Sequence, residues 1–164
     1  MKEFKLSIED IIKMAQRIME GRSPDYENLP SHGLRVQLTS EDDGSVYSRT
    51  SCFKGVWQDS HYHAGMREII AVQEGWIAFA DLFGAKGLAN VRILRKGESV
   101  TVQPCMSHSI YMPAGAVIHS LQFGDTVVGN ADGQKNWHVS PELDKHIKHL
   151  DEEQIAIYGN RNRR

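Results

Sequence analysis

The sequence predicts an all-β fold, a barrel or sandwich of short strands with helices at both ends of the chain. Across residues 33–130, short runs rich in β-branched and aromatic residues alternate with residues suited to tight turns. Outside this range, apolar residues recur at three- and four-residue steps, the periodicity of an amphipathic helix. The length of 164 residues fits one domain and is too short for two independent cores.

Eight strands are predicted in the central part of the chain, over residues 34–38, 46–53, 68–73, 76–82, 91–94, 99–102, 109–112 and 117–123. Turn-forming residues separate many of them, at Asp43-Gly44, Glu74-Gly75, Lys96-Gly97, Pro113-Ala114-Gly115 and Gly124-Asp125. Many short strands at near-regular spacing, without helices between them, indicate a sandwich or a barrel.

Helices are predicted on both sides of the strands. Residues 7–20 place six apolar residues on one face, Ser7 can cap the helix, and Gly21 can end it. Near the C-terminus, a helix is expected with Ser140 as its cap and Pro141 in its first turn. A second short helix is expected after it, over residues 151–158. We therefore divide the single domain into an N-terminal helix and connector, a barrel and a helical tail, at residues 1–32, 33–130 and 131–164.

Charge and composition exclude several functions. A net charge of -2 provides no basic surface for nucleic acid or an anionic membrane, so neither partner is expected. The apolar stretches are far shorter than the roughly 20 residues needed to span a bilayer. The N-terminus lacks the apolar stretch of a signal peptide, so a cytoplasmic location is expected. Cys52 and Cys105 form no Cys-x-x-Cys pair and are predicted to be small buried hydrophobic residues.

Histidines and one glutamate mark the candidate site. The chain has eight histidines, and four of them lie between positions 61 and 119. His61 and His63 are separated by one residue, so in an extended strand both imidazoles point to the same side. Glu68 follows beyond Gly65 and can supply a carboxylate from the neighbouring strand. Two imidazoles and a carboxylate are suitable ligands for a divalent transition metal, and a further histidine would complete a four-ligand set.

These residues resemble the first sequence motif of the cupin family. The chain has the pattern Gly-x5-His-x-His-x4-Glu-x6-Gly, formed by Gly55, His61, His63, Glu68 and Gly75. The second cupin motif is matched less completely. Gly97 and His108 stand at the expected separation, whereas Pro104 is displaced by one residue, Cys105 replaces a glycine and Met112 replaces an asparagine.

The fourth metal ligand has two candidates. His108 fits the second motif, and His119 follows Pro113-Ala114-Gly115, which imitates that motif with one extra residue. His119 shares strand parity with Val117 and Leu121 and is expected to face inward. If His108 is the ligand, His119 is a candidate catalytic acid or base, because an imidazole titrates near neutral pH.

The resemblance implies a cupin jelly-roll barrel that binds one divalent transition metal ion, Fe, Mn, Ni, Co or Zn. It leaves three functions open, because this fold hosts many reactions. The first is metal-assisted isomerisation or epimerisation of a sugar or of a keto or hydroxy acid. The others are an Fe(II)-dependent dioxygenase and a non-enzymatic small-molecule binder or sensor.

Further candidate residues surround the motif. Tyr111 is a second candidate catalytic residue, and other side chains are candidates to shape a substrate pocket: Tyr47, Arg49, Trp57, Asp59 and Trp137. The apolar face of the N-terminal helix and an open barrel edge also favour a homodimer.

Overall fold

The computed structural model describes residues 26–29, 33–39, 44–83, 88–124 and 137–161. The described strands are β1 Tyr26–Leu29, β2 Gly33–Thr39, β3 Val46–Cys52, β4 Val56–Trp57, β5 His61–His63, β6 Met66–Glu74, β7 Trp76–Phe83, β8 Leu88–Arg95, β9 Ser99–Val102, β10 His108–Met112, β11 Val117–Gly124 and β12 Trp137–Val139. The described helices are α1 Pro141–Ile147 and α2 Glu152–Arg161. The predicted helix over residues 7–20 lies outside the described residues.

The strands form two antiparallel sheets. Sheet I has the order β1-β2-β3-β11-β6-β9, and sheet II has the order β12-β5-β10-β7-β8, with β4 also paired to β10. Neighbours within each sheet are often distant in sequence, as when β11 lies between β3 and β6. This connectivity brings residues from opposite ends of the barrel sequence to one place, and it confirms the all-β jelly-roll prediction.

All eight predicted strands are present, with bounds within about three residues of those predicted. Two short strands that were not predicted lie in the segments assigned to the connector and the helical tail. Tyr26–Leu29 pairs with β2, and Trp137–Val139 pairs with β5, so the sheets extend beyond residues 33–130. Strands this short contain too few residues for a period-two pattern, and they exist because a longer neighbour supplies their hydrogen-bonding partners.

The main core lies between the two sheets. Alternate residues of facing strands point inward, and Ile70, Ile77, Phe79 and Val102 have no measurable exposure. The exposed and buried residues of β9 alternate strictly, as expected for a strand with one face in the core and one in water.

A second apolar core lies on the outer face of sheet II, beneath the C-terminal helices. It consists of one set of buried residues from the sheet and the helices: Trp57, Ala78, Ala80, Val91, Tyr111, Leu143, Ile147, Leu150 and Ile155. All five residues of β10 are consequently buried, since this strand has the main core on one side and helices on the other. The C-terminal helices are therefore an integral part of the folded domain.

Helix α1 is attached to the segment that precedes β5. Asp144 accepts a hydrogen bond from the Ser60 hydroxyl at 2.5 Å, and the Ser140 amide donates to the Ser60 carbonyl at 2.7 Å. Pro141 occupies the first turn as predicted, but the Ser140 side chain makes no capping hydrogen bond. Helix α2 starts with a reciprocal pair of bonds, in which Asp151 and Gln154 each accept from the other's amide.

None of the described helices is long and apolar enough to cross a membrane.

Candidate metal centre

Four side chains able to bind a metal ion lie together inside the barrel. The candidate ligand atoms of His61, His63, Glu68 and His108 are all within 4.8 Å of one another. Glu68 extends from β6 of sheet I, whereas the three histidines belong to β5 and β10 of sheet II. His63, Glu68 and His108 are buried, and His61 is partly exposed. The cluster is thus largely shielded from bulk water.

The register of the strands explains how these residues meet. His61 lies directly opposite His108 in the antiparallel pair of β5 and β10, so both side chains are on the same face of sheet II. His63, two residues after His61, is on that face as well. Glu68 reaches the cluster from the facing sheet.

The backbone orients two of the three imidazoles. His61 Nδ1 lies 2.8 Å from the Asp59 carbonyl oxygen, and His108 Nδ1 lies 3.0 Å from the Met106 carbonyl oxygen. Because a carbonyl oxygen can only accept, Nδ1 carries a hydrogen in both rings, and Nε2 is left as the candidate ligand atom. Metal-binding histidines usually have this arrangement, with one nitrogen on the metal and the other donating to a carbonyl or carboxylate.

The position of Glu68 tests whether the donor set suits a cation. Glu68 Oε2 lies 3.2 Å from His108 Nε2 and 3.5 Å from His63 Nε2, and the Ser120 hydroxyl donates to Oε1. His108 Nδ1 faces the Met106 carbonyl group, so Nε2 is the nitrogen that faces the carboxylate. Either a proton on Nε2 or a cation bound by both groups can hold these two atoms together. The residues therefore fit one divalent transition metal ion bound by three imidazoles and one carboxylate.

The electrostatic surroundings favour ligand-competent protonation states. Burial alone would raise the pKa of Glu68, but hydrogen bonds with His108, His63 and Ser120, and attraction to His108, hold this pKa well below its usual range. Burial, aided by repulsion from His108, lowers the pKa of His61 to about 4. At neutral pH Glu68 is thus ionised and His61 neutral, which are the forms that bind a metal.

The metal-free protein is expected to lose stability as the pH falls from about 6.5 to 4. Over this range an unfolded His61 takes up a proton and the folded one does not, so the unfolded state is favoured on acidification. The loss is on the order of 3 kcal/mol from this group alone. Urea unfolding of chelator-treated protein at several pH values measures it. The His61→Gln variant should have a shallower pH dependence, and an unchanged dependence would contradict this origin.

The glycines at the two ends of the first motif are required for different physical reasons. Gly75 forms the link between β6 and β7 at a φ of 73°, a conformation that side chains with a Cβ rarely adopt. Gly55 has no such φ, but a Cβ at this position would overlap the hydroxyl of Tyr111. The requirement for glycine at position 55 arises from this tertiary contact and cannot be derived from local sequence.

The incomplete second motif preserves the local geometry of the loop before His108. Cys105 replaces the family's glycine yet has a φ of 62°, in the left-handed region that glycine favours. Its amide donates to the His63 carbonyl at 2.7 Å, which ties this loop to β5. Cys105 is exposed, so its predicted burial is wrong, whereas Cys52 is buried as predicted. Met112, in place of asparagine, is 2% exposed and belongs to the main core.

The expectation that His119 faces inward is wrong. Its neighbours Ile118 and Ser120 are the buried residues of this part of β11, so strand alternation places His119 on the outer face of sheet I. There Nδ1 lies 2.7 Å from the Tyr47 hydroxyl, and Nε2 lies 2.8 Å from Gln73 Oε1. His119 is therefore not placed to act as the fourth ligand or as an acid or base at the cluster. His108 is the one of these two histidines that lies in the cluster.

Tyr111 is also directed away from the cluster. Its ring packs in the second core, where its centroid lies 5.6 Å from that of Trp57, and its hydroxyl donates to Glu152 at 3.2 Å. Burial, together with the nearby Glu152 carboxylate, raises the pKa of Tyr111 to about 12. The geometry thus assigns Tyr111 to packing between sheet II and helix α2, and it does not place the hydroxyl for catalysis.

The other pocket candidates divide into two groups. Trp137 stacks on His61 with ring centroids 5.2 Å apart, and Asp59 orients His61 through its carbonyl group. Trp57 belongs to the second core, while Tyr47 and Arg49 contact His119 and Gln73 on the outer face of sheet I. Only the first two lie beside the cluster.

Two charged residues that were not among the sequence-based candidates, Asp81 and Arg92, also point into the barrel. Asp81 is directly opposite His108 on the neighbouring strand, and Arg92 is directly opposite Phe79. Arg92 Nη2 donates to Asp81 Oδ2 at 3.1 Å. One signal was available, because Asp81 continues the alternation of Ile77 and Phe79 and thus places a charge at a core position of its strand.

The two-sheet barrel and its cluster of three histidines and one glutamate define a class of β-barrel proteins with an internal cluster of candidate metal ligands. No family model matches the chain, and no curated protein matches it in sequence. Solved structures do match it. CapF bound to the inhibitor 3-isopropenyl-tropolone aligns at TM-score 0.57 and 15% identity, over 68% of this chain and 33% of that chain.

Two further structures are similar. Oxalate decarboxylase from Bacillus subtilis aligns at TM-score 0.56 and 17% identity, over 81% of this chain and 34% of that chain. An RmlC-like cupin from Shewanella frigidimarina aligns at TM-score 0.51 and 20% identity, over 65% of this chain and 87% of that chain. The chain thus spans about a third of CapF and of oxalate decarboxylase. These matches show that it has the cupin fold.

Proposed function

We propose that this protein is an enzyme that uses one divalent transition metal ion as a Lewis acid. Its substrate is a sugar or a keto or hydroxy acid, and its reaction is an isomerisation or epimerisation. The observation that supports the metal most directly is the convergence of four candidate ligand atoms, from His61, His63, Glu68 and His108, within 4.8 Å of one another inside the barrel. When bound, the ion would polarise a carbonyl or hydroxyl oxygen of the substrate.

The protein's own residues have distinct tasks in this proposal. The Nε2 atoms of the three histidines and the carboxylate of Glu68 hold the ion. The Asp59 and Met106 carbonyl groups keep two of the rings in the required orientation. Four protein ligands leave positions on a six-coordinate ion for substrate oxygens. Phe79 stacks on His108 with ring centroids 6.0 Å apart and provides an apolar wall that limits access of water.

A structure with a similar fold is known to contain a metal, which supports the proposal of a metal-binding site. Oxalate decarboxylase from Bacillus subtilis, which shares the fold, contains Mn(II) centres. A similar fold does not determine the reaction, because cupins support many chemistries. Isomerisation is consistent with the site, which offers four ligands and leaves positions on a six-coordinate ion for substrate oxygens.

The test combines elemental analysis with anaerobic turnover. Protein purified without added metal is expected to contain about one transition metal ion per chain, and His61→Ala is expected to lose most of it. Wild-type protein should convert a member of a panel of sugars and of keto and hydroxy acids to an isomer without oxygen, and chelation should stop the conversion. Full metal content in His61→Ala would refute the site assignment.

The same experiment separates the other functions. Conversion that requires Fe(II) and consumes oxygen would replace isomerisation with a dioxygenase reaction. Metal-dependent binding of a ligand without turnover would identify a binding protein. The Arg95→Gln variant, altered at an exposed residue of β8, serves as the matched control and should keep both metal and activity.

A further inference from the structure

A row of polar side chains crosses sheet II at the level of the metal cluster. His61, His108, Asp81 and Asn90 lie directly opposite one another on β5, β10, β7 and β8. Directly opposite residues of antiparallel strands share a face, so all four point into the barrel. The polar row, defined by these four residues, extends the cluster toward β8.

Arg92 lies beside this polar row. Its guanidinium carbon is 5.1 Å from the centroid of Phe79, the ring that also stacks on His108. Arg92 Nη2 donates to Asp81 Oδ2 at 3.1 Å, and Asp81 also accepts from Asn90 at 3.5 Å. Both groups that Arg92 contacts, the Phe79 ring and the Asp81 carboxylate, belong to residues that neighbour His108. These contacts therefore hold the guanidinium group on the His108 side of the barrel interior.

The hydrogen-bonding capacity of Arg92 is only partly used. An arginine has five N–H donors, and Arg92 Nε is buried without a hydrogen-bond partner among the residues that the structure describes. The Asp81 side chain is 6% exposed, whereas that of Arg92 is 43% exposed. The guanidinium therefore remains accessible to a ligand while its anchoring carboxylate is covered.

The charges at the site indicate the sign of that ligand. Glu68 and Asp81 carry two negative charges, and Arg92 carries one positive charge. A divalent ion adds two positive charges, so the loaded site has one positive charge in excess. In a largely buried site, an uncompensated charge is unfavourable, and a ligand with one negative charge would neutralise it.

We infer that Arg92, anchored by Asp81, binds the carboxylate of a keto or hydroxy monocarboxylic acid whose other oxygen faces the metal cluster. This inference deepens the proposed function and rests on it, since it selects acids over neutral sugars as the substrate class. The planar guanidinium donates paired hydrogen bonds that match the two oxygens of a carboxylate. Arg92 is thus the residue that determines specificity.

The test measures the binding of matched charged and neutral probes by calorimetry, using protein of known metal content. The pairs are pyruvate with hydroxyacetone and lactate with 1,2-propanediol. Arg92→Gln is expected to bind pyruvate and lactate about 10- to 100-fold more weakly than wild type, because charge-assisted hydrogen bonds are lost. Binding of the neutral probes should change by less than about twofold.

Two further variants serve as controls. Arg95→Gln removes the same charge from the same strand on an exposed residue, and it should bind the acids as wild type does. Arg92→Gln leaves Asp81 buried without its partner, which could unfold the protein. The double variant Asp81→Asn with Arg92→Gln removes both charges, and it should fold, hold the metal and show the same selective loss of acid binding.

The possible failures are distinguishable. If the wild type holds its metal but binds no acid, or Arg92→Gln binds the acids as tightly as wild type, the role of Arg92 is wrong and the metal centre stands. If the variants lose acids and neutral probes equally, Arg92 contributes only to structure. Protein that holds no metal would overturn the proposed function, and the assignment of Arg92 with it.

Discussion

The His108→Ala variant is expected to bind the metal ion at least about 100-fold more weakly than wild type. His108 is 1% exposed, its ring nitrogens contact Met106 and Glu68, and it connects the two sheets at the cluster. Replacing a residue that merely supports a metal ligand weakens binding about 10- to 100-fold, so loss of a ligand should cost more. Elemental analysis after desalting, with metal titration of the chelator-treated protein, measures the effect.

His119→Ala is the informative control for this experiment. His119 occurs in the sequence pattern that competes with the second motif, yet it contacts Tyr47 and Gln73 on the outer face of sheet I. The variant should keep its full metal content. Metal loss in His119→Ala together with retention in His108→Ala would reverse the assignment. Circular dichroism of both metal-free variants shows whether either has lost its fold.

The Leu143→Ala variant is expected to lower the free energy of unfolding by about 3 kcal/mol, within the range for a buried leucine. Leu143 is on helix α1, has no measurable exposure and packs in the second core against sheet II. Its truncation leaves a cavity between the helix and the strands. Urea unfolding of the two proteins at one pH, with equal metal content, measures the difference.

Ile157→Ala is the matched control for the C-terminal region. Ile157 is on helix α2 but is 51% exposed, so its truncation should change the free energy of unfolding by less than about 0.5 kcal/mol. Equal, small effects of both substitutions would mean that the helices contribute little to stability. That result would contradict the assignment of residues 137–161 to the folded domain.

Much of the strand pattern was predictable from local sequence. Glycine-containing turns such as Glu74-Gly75 and Lys96-Gly97 separate runs with a period of two, and this local signal places the boundaries within a few residues. The short strands β1, β4 and β12 were not predictable in this way. Each depends on a partner strand that is distant in sequence, and a few residues contain no period of their own.

The orientation of residues on β11 shows a second limit. His119 was expected to face inward because it shares strand parity with the apolar residues Val117 and Leu121. The interior residues are instead Ile118 and Ser120, and the serine is buried because Glu68 accepts its hydrogen bond. The hydrophobic pattern predicts the wrong buried face of a strand when a polar residue on the buried face has a hydrogen-bonding partner in the interior.

The sequence alone predicted the kind of fold and identified His61, His63 and Glu68 as candidate ligands of a divalent metal ion. The candidate ligands were recognisable from local spacing. A one-residue separation, for example, puts His61 and His63 on the same side of any extended strand. Only the tertiary structure decided between His108 and His119, removed Tyr111 from the site, and brought Asp81 and Arg92 beside the cluster. Those outcomes depend on which strands are neighbours and in what register, and non-local pairing leaves little signal in a single sequence.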